Sequence, residues 1–577
     1  MPKMNVMDAV VRVMESEGVD VVFGVPGAAI LPLYDALRGS SIRHLTVRHE
    51  EGGTHAADGY SRATGRIGVA AGTSGPAGTN MVTGLYTAWA DSVPILTLTG
   101  QVPVAQLDRE GFQAVDIAAI VKPVVKKSYM VTQPDQLPWV FREAFRIMRE
   151  GRPGPVHIDL PIDVQLATIS YDPAADGPLP VHRTAPHPAA IERALDLLLD
   201  AERPLLLPGG GVILADACEE LVELAELLQA PVVPTLMGWG AIPNDHPLYA
   251  GLAGIQTQTR SGNEALLGSD VVLAVGARFA DRHTGDLDVY RGDRKFIHVD
   301  VEPTQIGRVF GPDLGIVADA KLTLQALVEA ARRRLGTARA ATTWAAQVPE
   351  RRQELARKTD YDNVPIKPQR VFQEINEYFD RDTVFVTAIG LYQIWSGQFQ
   401  EVFQPRHYLI CGQAGPLGWE VSACTGAKLG HPDKTVVGVV GDYSFQFLSE
   451  EVAVACQYEV PFVIVMLNNG YLGLIRQAEE KYEMNYAVDI AFDESYGIDH
   501  VKVMEGMGGI GRRVEQPEDI RAALEWAVAT SEERQRPVLV EVVIEREVNA
   551  AMGGALDAIA EFEAADREEP VAAEVEA

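Results

Sequence analysis

Residues 436–471 read VVGVVGDYSFQFLSEEVAVACQYEVPFVIVMLNNGY, and the order of apolar and polar segments in this stretch decides the fold. Val436–Val440 is a strand-length run of branched apolar residues that stops at Gly441-Asp442. Ser449 to Gln457 reads as a helix, with Ser449 at the N-cap and Glu450 and Glu451 in the first turn, where carboxylates complement the helix dipole. Pro461–Leu467 is the next strand and stops at Asn468-Asn469. A strand–helix–strand unit of this length makes its strands parallel and brings their carboxyl ends together. Asp442 and Asn469 therefore meet at the sheet edge where open α/β folds take ligands. One carboxylate and one amide oxygen suit Mg²⁺, which keeps few protein ligands and fills its octahedron with phosphate and water oxygens.

The same alternation runs outward through the 577 residues. Val21–Phe23, Ile67–Ala71 and Ile95–Leu98 are short apolar runs ending in glycine-rich turns, while Asn80–Ala90 and Leu137–Met148 have helical character. A proline-rich stretch, Tyr171–Ala190, reads as a linker. Pro204–Leu207, Val271–Val275 and Phe296–Val299 are the strands of a second block, closed by the charged stretch Pro349–Tyr361, a second linker. No short-period repeat is visible. The expected architecture is α/β: three doubly wound parallel-sheet domains at 1–172, 190–345 and 364–547, then a C-terminal segment, 548–577.

Composition narrows the function classes. The chain is 47% hydrophobic, so several cores can be buried. Its net charge of −30 disfavours a broad nucleic-acid or anionic-membrane surface, though not a local basic pocket for phosphates. Residues 561–577 hold seven carboxylates against Arg567 and read as a solvated tail. Cys218, Cys411, Cys424 and Cys456 form no CxxC pair, pointing to buried thiols in a reducing compartment. Met1 to Val13 lacks the pattern of a secretory signal, and the apolar runs are of strand length. A soluble, cytoplasmic protein is expected.

Gly441-Asp442-Tyr443, followed after 24 residues by Asn468-Asn469, resembles the metal-diphosphate signature of thiamine-diphosphate-dependent enzymes, with Tyr443 where glycine is usual. The resemblance implies that Asp442, Asn469 and the backbone carbonyl of Tyr471 hold Mg²⁺ on the diphosphate. It extends to Phe23-Gly24-Val25-Pro26-Gly27, Arg48-His49-Glu50-Glu51-Gly52, the 59–65 and 73–80 stretches, and Thr99-Gly100-Gln101. Glu50 matches the glutamate that hydrogen-bonds the aminopyrimidine ring and so activates C2 of the thiazolium. Val25, Pro26, Gly75, Asn80 and Gln113 are the implied cofactor neighbours in the first domain. Ile389, Gly390, Leu391, Gly415, Gly441, Tyr443 and Ser444 are those in the third, with Leu417 beneath the cofactor.

The middle block resembles the flavin-binding domain of the acetohydroxyacid-synthase-like branch. Gly209, Gly210, Gly211, Arg152, Arg278, Arg282, Asp300 and Asp319 are the implied contacts to an FAD with no redox role, forked guanidinium groups being suited to phosphate. Finer matches, among them PTLMGWGAIPNDHPL, RFADRHTGD, CGQAGPLGW and NNGYLGLIRQ, are to the glyoxylate-condensing members. Ala478 stands where acetohydroxyacid synthases carry a tryptophan for longer 2-oxo acids, and Leu391-Tyr392 where they carry Gln-His.

The implied reaction joins two glyoxylate molecules into tartronate semialdehyde and releases CO₂. The alternatives are an acetolactate-synthase-type carboligase acting on pyruvate and an FAD-dependent oxidoreductase of the pyruvate-oxidase type. A non-enzymic role is disfavoured by the intact set Glu50, Asp442 and Asn469. Glyoxylate-condensing members usually carry valine at the position of Glu50, so the glutamate here implies faster C2 activation. Leu417, Ile389 and Ile475 are implied to line an apolar pocket, and Arg476 is a candidate for the substrate carboxylate. With Glu50 and Asp442 in different domains, the resemblance implies a homodimer or homotetramer with its sites between subunits.

Overall fold

The computed structural model describes residues 2–484, 488, 490, 497–546 and 549–561. Its frame is three parallel sheets. The N-terminal sheet runs in the order Arg43–Thr46, Val21–Gly24, Gly68–Gly72, Ile95–Gln101, Val156–Pro161, Lys127–Met130. The C-terminal sheet runs Tyr408–Ile410, Val384–Thr387, Val436–Gly441, Val463–Asn468, Val538–Val543, Ile510–Val514. Numbered within each unit, both orders are 2-1-3-4-6-5. The two units therefore share one topology, a repeat that the residue pattern does not betray. The middle unit is a four-stranded sheet, Leu314–Val317, Lys295–Asp300, Val271–Val275 and Pro204–Pro208, also parallel. Its strands and those of the C-terminal unit are mostly buried, as sheets covered on both faces require.

Parallel order places the sites. In an order beginning 2-1-3, the chain leaves strands 1 and 3 in opposite directions, opening a crevice at their carboxyl ends. In the N-terminal unit those ends lead into Val25-Pro26 and the 73–75 loop, and in the C-terminal unit into Ile389-Gly390 and Asp442. The two strands of the 436–471 stretch pair as expected, Gly441 with Leu467 in parallel, and a short helix, Asp442–Phe445, follows the first.

Helix Glu50–Thr64 of the N-terminal unit packs against helix Trp419–Gly430 of the C-terminal unit at van der Waals distance between backbones. A Cβ on Gly59 would lie 2.6 Å from Ala423 Cα, and one on Gly426 would lie 1.9 Å from the Ala56 carbonyl oxygen. Polar groups secure the crossing. Trp419 Nε1 donates to Asp58 at 3.0 Å, and buried Arg62 pairs with Asp58 at 2.5 Å and Asp91 at 3.1 Å. Asp91 also accepts the Gly412 and Gln413 N–H groups of the C-terminal unit and a guanidinium N–H of Arg278 from the middle unit, so the three units converge on one carboxylate.

Several local expectations change. The helix after Asp442 begins at Glu451, and Ser449 is not its cap, because Glu450 (φ −61°, ψ −22°) precedes it in a helical conformation where a capping residue would be extended. The segment expected as one helix at Asn80–Ala90 is two, Pro76–Asn80 and Val82–Asp91, joined at Met81. Within the expected second linker, Val348–Glu354 is a helix, anchored by buried Val348 and by Arg351, which pairs with Glu264. Cys411 and Cys424 are buried, while Cys218 and Cys456 are half-buried, and all four thiols are free.

Glu561 is not part of a solvated tail: Arg260 and Arg357 hold it at 2.9 and 3.0 Å, which lowers its carboxyl to about 2. The rest of that acidic run, 562–577, lies outside the described residues. No helix among the described residues is long and apolar enough to cross a membrane.

The helix crossing yields a direct test. Gly426→Ala drives a methyl into a backbone carbonyl and is expected to cost about 1–3 kcal/mol or more in urea denaturation. Gly506→Ala, where nothing lies within 4 Å of the new methyl, is expected to be neutral or stabilising.

Candidate active site

At the crevice of the N-terminal sheet, Glu50 is the first residue of helix Glu50–Thr64, and its Oε2 accepts a hydrogen bond from Asn80 Nδ2 at 2.9 Å. Gly75 leads into helix Pro76–Asn80 with φ +61° and is packed on Gln113, since a Cβ there would lie 2.9 Å from Gln113 Cβ. Gln113 itself adopts φ +59°, a left-handed backbone that non-glycine residues seldom take. Val25 donates its N–H to the Ala71 carbonyl at 3.1 Å, and Pro26, next to it, is exposed. Glu50, Asn80, Gly75 and Gln113 are thus gathered around strand ends 24 and 72, where Glu50 Cγ lies within 3.4 Å of a Cβ built on Gly72.

At the C-terminal crevice, Asp442 is 3% exposed and its Oδ2 accepts the Gly470 N–H at 2.9 Å. Burial pushes its carboxyl up to about 6, with His500 and backbone N–H groups pulling it back. Asn469 directs its Nδ2 to the Arg546 carbonyl at 3.4 Å. Leu391 is buried beside it: a Cβ on Gly473 would touch Leu391 Cδ1 at 2.6 Å and Asn469 Nδ2 at 2.9 Å. Gly470 has φ +67°, and Arg546 stacks on the Tyr471 ring at 4.4 Å.

Gly415 (φ +60°) faces Ile389, since a Cβ there would lie 3.5 Å from Ile389 Cβ. Leu417 is half-buried, and Ile475 is 51% exposed on helix Gly473–Lys481. The side chain of Arg476 lies 4.0 Å from Glu479. Among the described residues no three His, Cys, Asp or Glu side chains cluster as a metal cage. A buried carboxylate beside a buried amide, which need ligand oxygens to complete a shell, fits Mg²⁺ on a diphosphate.

The eight residues singled out in the middle block all line one cavity between the units: Arg152, Gly209, Gly210, Gly211, Arg278, Arg282, Asp300 and Asp319. They converge because the sheet is parallel and each follows a strand's carboxyl end, Arg152 excepted. The glycines permit close loops, since a Cβ on Gly209 would meet the Gly276 carbonyl oxygen at 2.2 Å. Burial lowers the pKa of Arg152 and Arg282; for Arg152 the neighbouring Arg278 adds to the effect. Cations held in this way fit an anionic ligand such as a dinucleotide. Asp319 doubles as the cap of helix Ala320–Leu335, accepting from the Leu322 N–H at 3.0 Å.

Three functional neighbours escaped the residue pattern. Glu451 Oε1 accepts both the Arg48 and the His49 N–H at 2.8 Å, clamping the turn that presents Glu50. Asp91 joins the cavity between the units to the 412–413 loop. Glu420, wholly buried, accepts from the Tyr392 and Ser444 hydroxyls. The signal available for Glu420 was an acid inside the apolar run following Gly418.

Twin α/β units, one presenting Glu50 and the other Asp442 and Asn469 at the carboxyl ends of their strands, have the organisation of a thiamine-diphosphate enzyme. Family profiles agree: the thiamine pyrophosphate enzyme N-terminal TPP binding domain matches residues 4–120, the central domain 191–327 and the C-terminal TPP binding domain 388–542. The chain belongs to the thiamine pyrophosphate enzyme family. It is 52% identical to glyoxylate carboligase of Escherichia coli O157:H7 over 574 residues, which is 98% of this chain and 97% of the relative. It is 39% identical to the acetolactate synthase large subunit of Corynebacterium glutamicum, over 94% of this chain and 87% of that one. A probable acetolactate synthase large subunit of Methanocaldococcus jannaschii is 38% identical, over 93% and 91%.

The Glu451 clamp carries a pH signature. Burial pushes its carboxyl from 4.5 up to about 7, against the pull of the two N–H groups and Arg48. Between those pH values the folded state keeps a proton that the unfolded state has lost, so this group's contribution to stability falls as pH rises through the window. Glu451→Gln keeps an oxygen for both N–H groups and removes the charge. Its denaturation midpoint is expected to match the parent near pH 4.5 and to exceed it above pH 7, read from urea titrations across that range.

Proposed function

We propose that this protein is a thiamine-diphosphate- and Mg²⁺-dependent carboligase that joins two glyoxylate molecules into tartronate semialdehyde and releases CO₂. The observation that carries the reading is the 52% identity to glyoxylate carboligase along nearly the whole of both chains. Ala478, standing where acetohydroxyacid synthases carry the tryptophan that serves longer 2-oxo acids, supports the smaller 2-oxo acid.

Bound thiamine diphosphate supplies a carbon nucleophile for the oxo group and a cationic ring that accepts the carboxylate's electrons as CO₂ leaves. The chain's own groups do the rest. Glu50, its Oε2 fixed by Asn80, shares a proton with the ring nitrogen of the pyrimidine. Asp442, Asn469 and the Tyr471 carbonyl hold the metal on the diphosphate. Gln113 and Gly75 border the pyrimidine side, with Val25 and Pro26 at the same strand end. Leu417, Ile389 and Ile475 form the apolar wall that keeps water from the reacting carbon.

On this reading 1–172 binds the pyrimidine, 190–345 holds FAD in a structural role, and 364–547 holds the diphosphate and metal. Large apolar side chains stand open beside both crevices: Phe112 is 86%, Phe447 50% and Ile475 51% exposed. Their exposure supports a homodimer or homotetramer whose subunits meet over the sites. The four free cysteines suit the cytoplasm.

Incubation with thiamine diphosphate, Mg²⁺ and glyoxylate is expected to yield tartronate semialdehyde and CO₂, identified by mass spectrometry. Acetolactate from pyruvate as the preferred product, or bleaching of bound flavin during turnover, would overturn the assignment. Glu50→Val is expected to slow exchange of the thiamine C2 proton by about 10²–10⁴-fold, the usual worth of a positioned acid–base group, measured by NMR after acid quench. Equal exchange rates would remove Glu50 from its role.

A further inference from the structure

Glu420 is the second residue of helix Trp419–Gly430 and is 0% exposed. Its carboxylate takes the Tyr392 hydroxyl proton on Oε1, and the Ser444 hydroxyl lies 3.0 Å from both of its oxygens. Ser444 in turn accepts the Gly418 N–H at 2.9 Å. The Tyr392 ring fills the space where side chains would stand on Gly390 and Gly441, 2.4 and 2.7 Å from a Cβ at either position. One acid thus joins the three loops that carry the proposed diphosphate-side contacts: 389–392, 415–418 and 441–444.

Stability alone does not account for an acid here. Among the described residues no ion pair reaches Glu420; its side-chain partners are hydroxyls. Taking a carboxylate out of water is costly, and an apolar side chain of similar volume is often as stable or more so. What the carboxylate provides is directional. It is acceptor-only when ionised, so it forces both hydroxyls to point inward and leaves the second lone pair of Ser444 for the Gly418 N–H. The 418 turn, which follows Leu417, and the 444 turn, which follows Asp442, are held in one register as a result.

We propose that Glu420 is a positioning residue for the cofactor. Through Tyr392 and Ser444 it sets the relative placement of the loop under the thiazolium and the loop that presents Asp442. It touches neither metal nor substrate. This inference rests on the thiamine-diphosphate reading of the same crevice.

The test uses the full-length protein with Glu420→Gln, Tyr392→Phe and Ser444→Ala. In Glu420→Gln the amide oxygen can still take both hydroxyls, as Oε1 does, but an NH₂ replaces Oε2. It brings two donors against the one Ser444 oxygen that contacts it, already engaged by the Gly418 N–H, so a buried N–H is left unmatched. Binding of thiamine diphosphate at saturating Mg²⁺ is followed by calorimetry, and thermal unfolding of the cofactor-free protein is recorded beside it. Each single variant is expected to bind the cofactor about tenfold or more weakly, the effect of one unmatched buried hydrogen bond, while in Glu420→Gln, which also removes the buried charge, the cofactor-free melting point is kept or raised. The Glu420→Gln/Ser444→Ala double variant is expected to lose no more than the worse single one, because both changes break one network.

Unaltered affinity in Glu420→Gln, additive losses in the double variant, or weaker binding in Glu420→Gln matched by a fall in its cofactor-free melting point would overturn the proposal. If Glu420→Gln does not fold, unaltered cofactor affinity in Tyr392→Phe and Ser444→Ala would overturn it. Failure of the parent protein to bind thiamine diphosphate would instead overturn the cofactor reading.

Discussion

The rest of the molecule depends on two helices approaching until their backbones touch. Helices 50–64 and 419–430 meet through Gly59 and Gly426, and any side chain at either position would stand inside the other helix. The same principle recurs one layer down, where a Cβ on Gly68 would lie 2.0 Å from the Ala57 carbonyl oxygen. Close packing of this kind is rigid, because interiors at crystal-like density have no room to slide. It fixes the helix that begins at Glu50 relative to the sheet that ends at Asp442. Arg62, Asp58 and Asp91 then extend the constraint to the middle unit, with buried charges that are costly unless all their partners stay in place.

Charge is arranged against the average of the chain. A protein of net charge −30 gathers Arg152, Arg278 and Arg282 around one cavity and buries two acids, Asp442 and Glu420, near its crevices. The overall field opposes anionic cofactors, so their binding must be local. Short-range groups in a low-dielectric setting outweigh screened surface charge at that distance. Burial alone leaves Asp442 reluctant to ionise, and an arriving metal would relieve that, which suits a site built to hold one.

Much of this was legible in the residues. Asp442 and Asn469 could be placed together because a strand–helix–strand unit has one handedness and one direction, leaving no other place for its strand ends. The glycine and arginine groups of the middle block could be named but not assembled. That they line one cavity follows from which strands neighbour which, and strand order is not a local property. Ser449 failed as a cap because the regular helix begins one residue later than its polar pattern suggested. Glu561 was read with the acids that follow it, since nothing nearby in sequence discloses Arg260 and Arg357. Glu420, Glu451 and Asp91 act through partners 24 to several hundred residues away, beyond any periodicity.

By itself, then, the sequence determined the α/β class, the neighbouring Asp442 and Asn469 and the candidate glutamate, because each depends on contacts within one supersecondary unit or on a contiguous motif. Only the tertiary structure decided that the outer units share one 2-1-3-4-6-5 topology and that glycine contacts lock them together. It alone decided, too, that buried Glu420 and Glu451 accept hydrogen bonds from the loops beside the crevices. Those features arise from packing between segments far apart in the chain, where a side chain's energy is set by neighbours that its own sequence surroundings do not name.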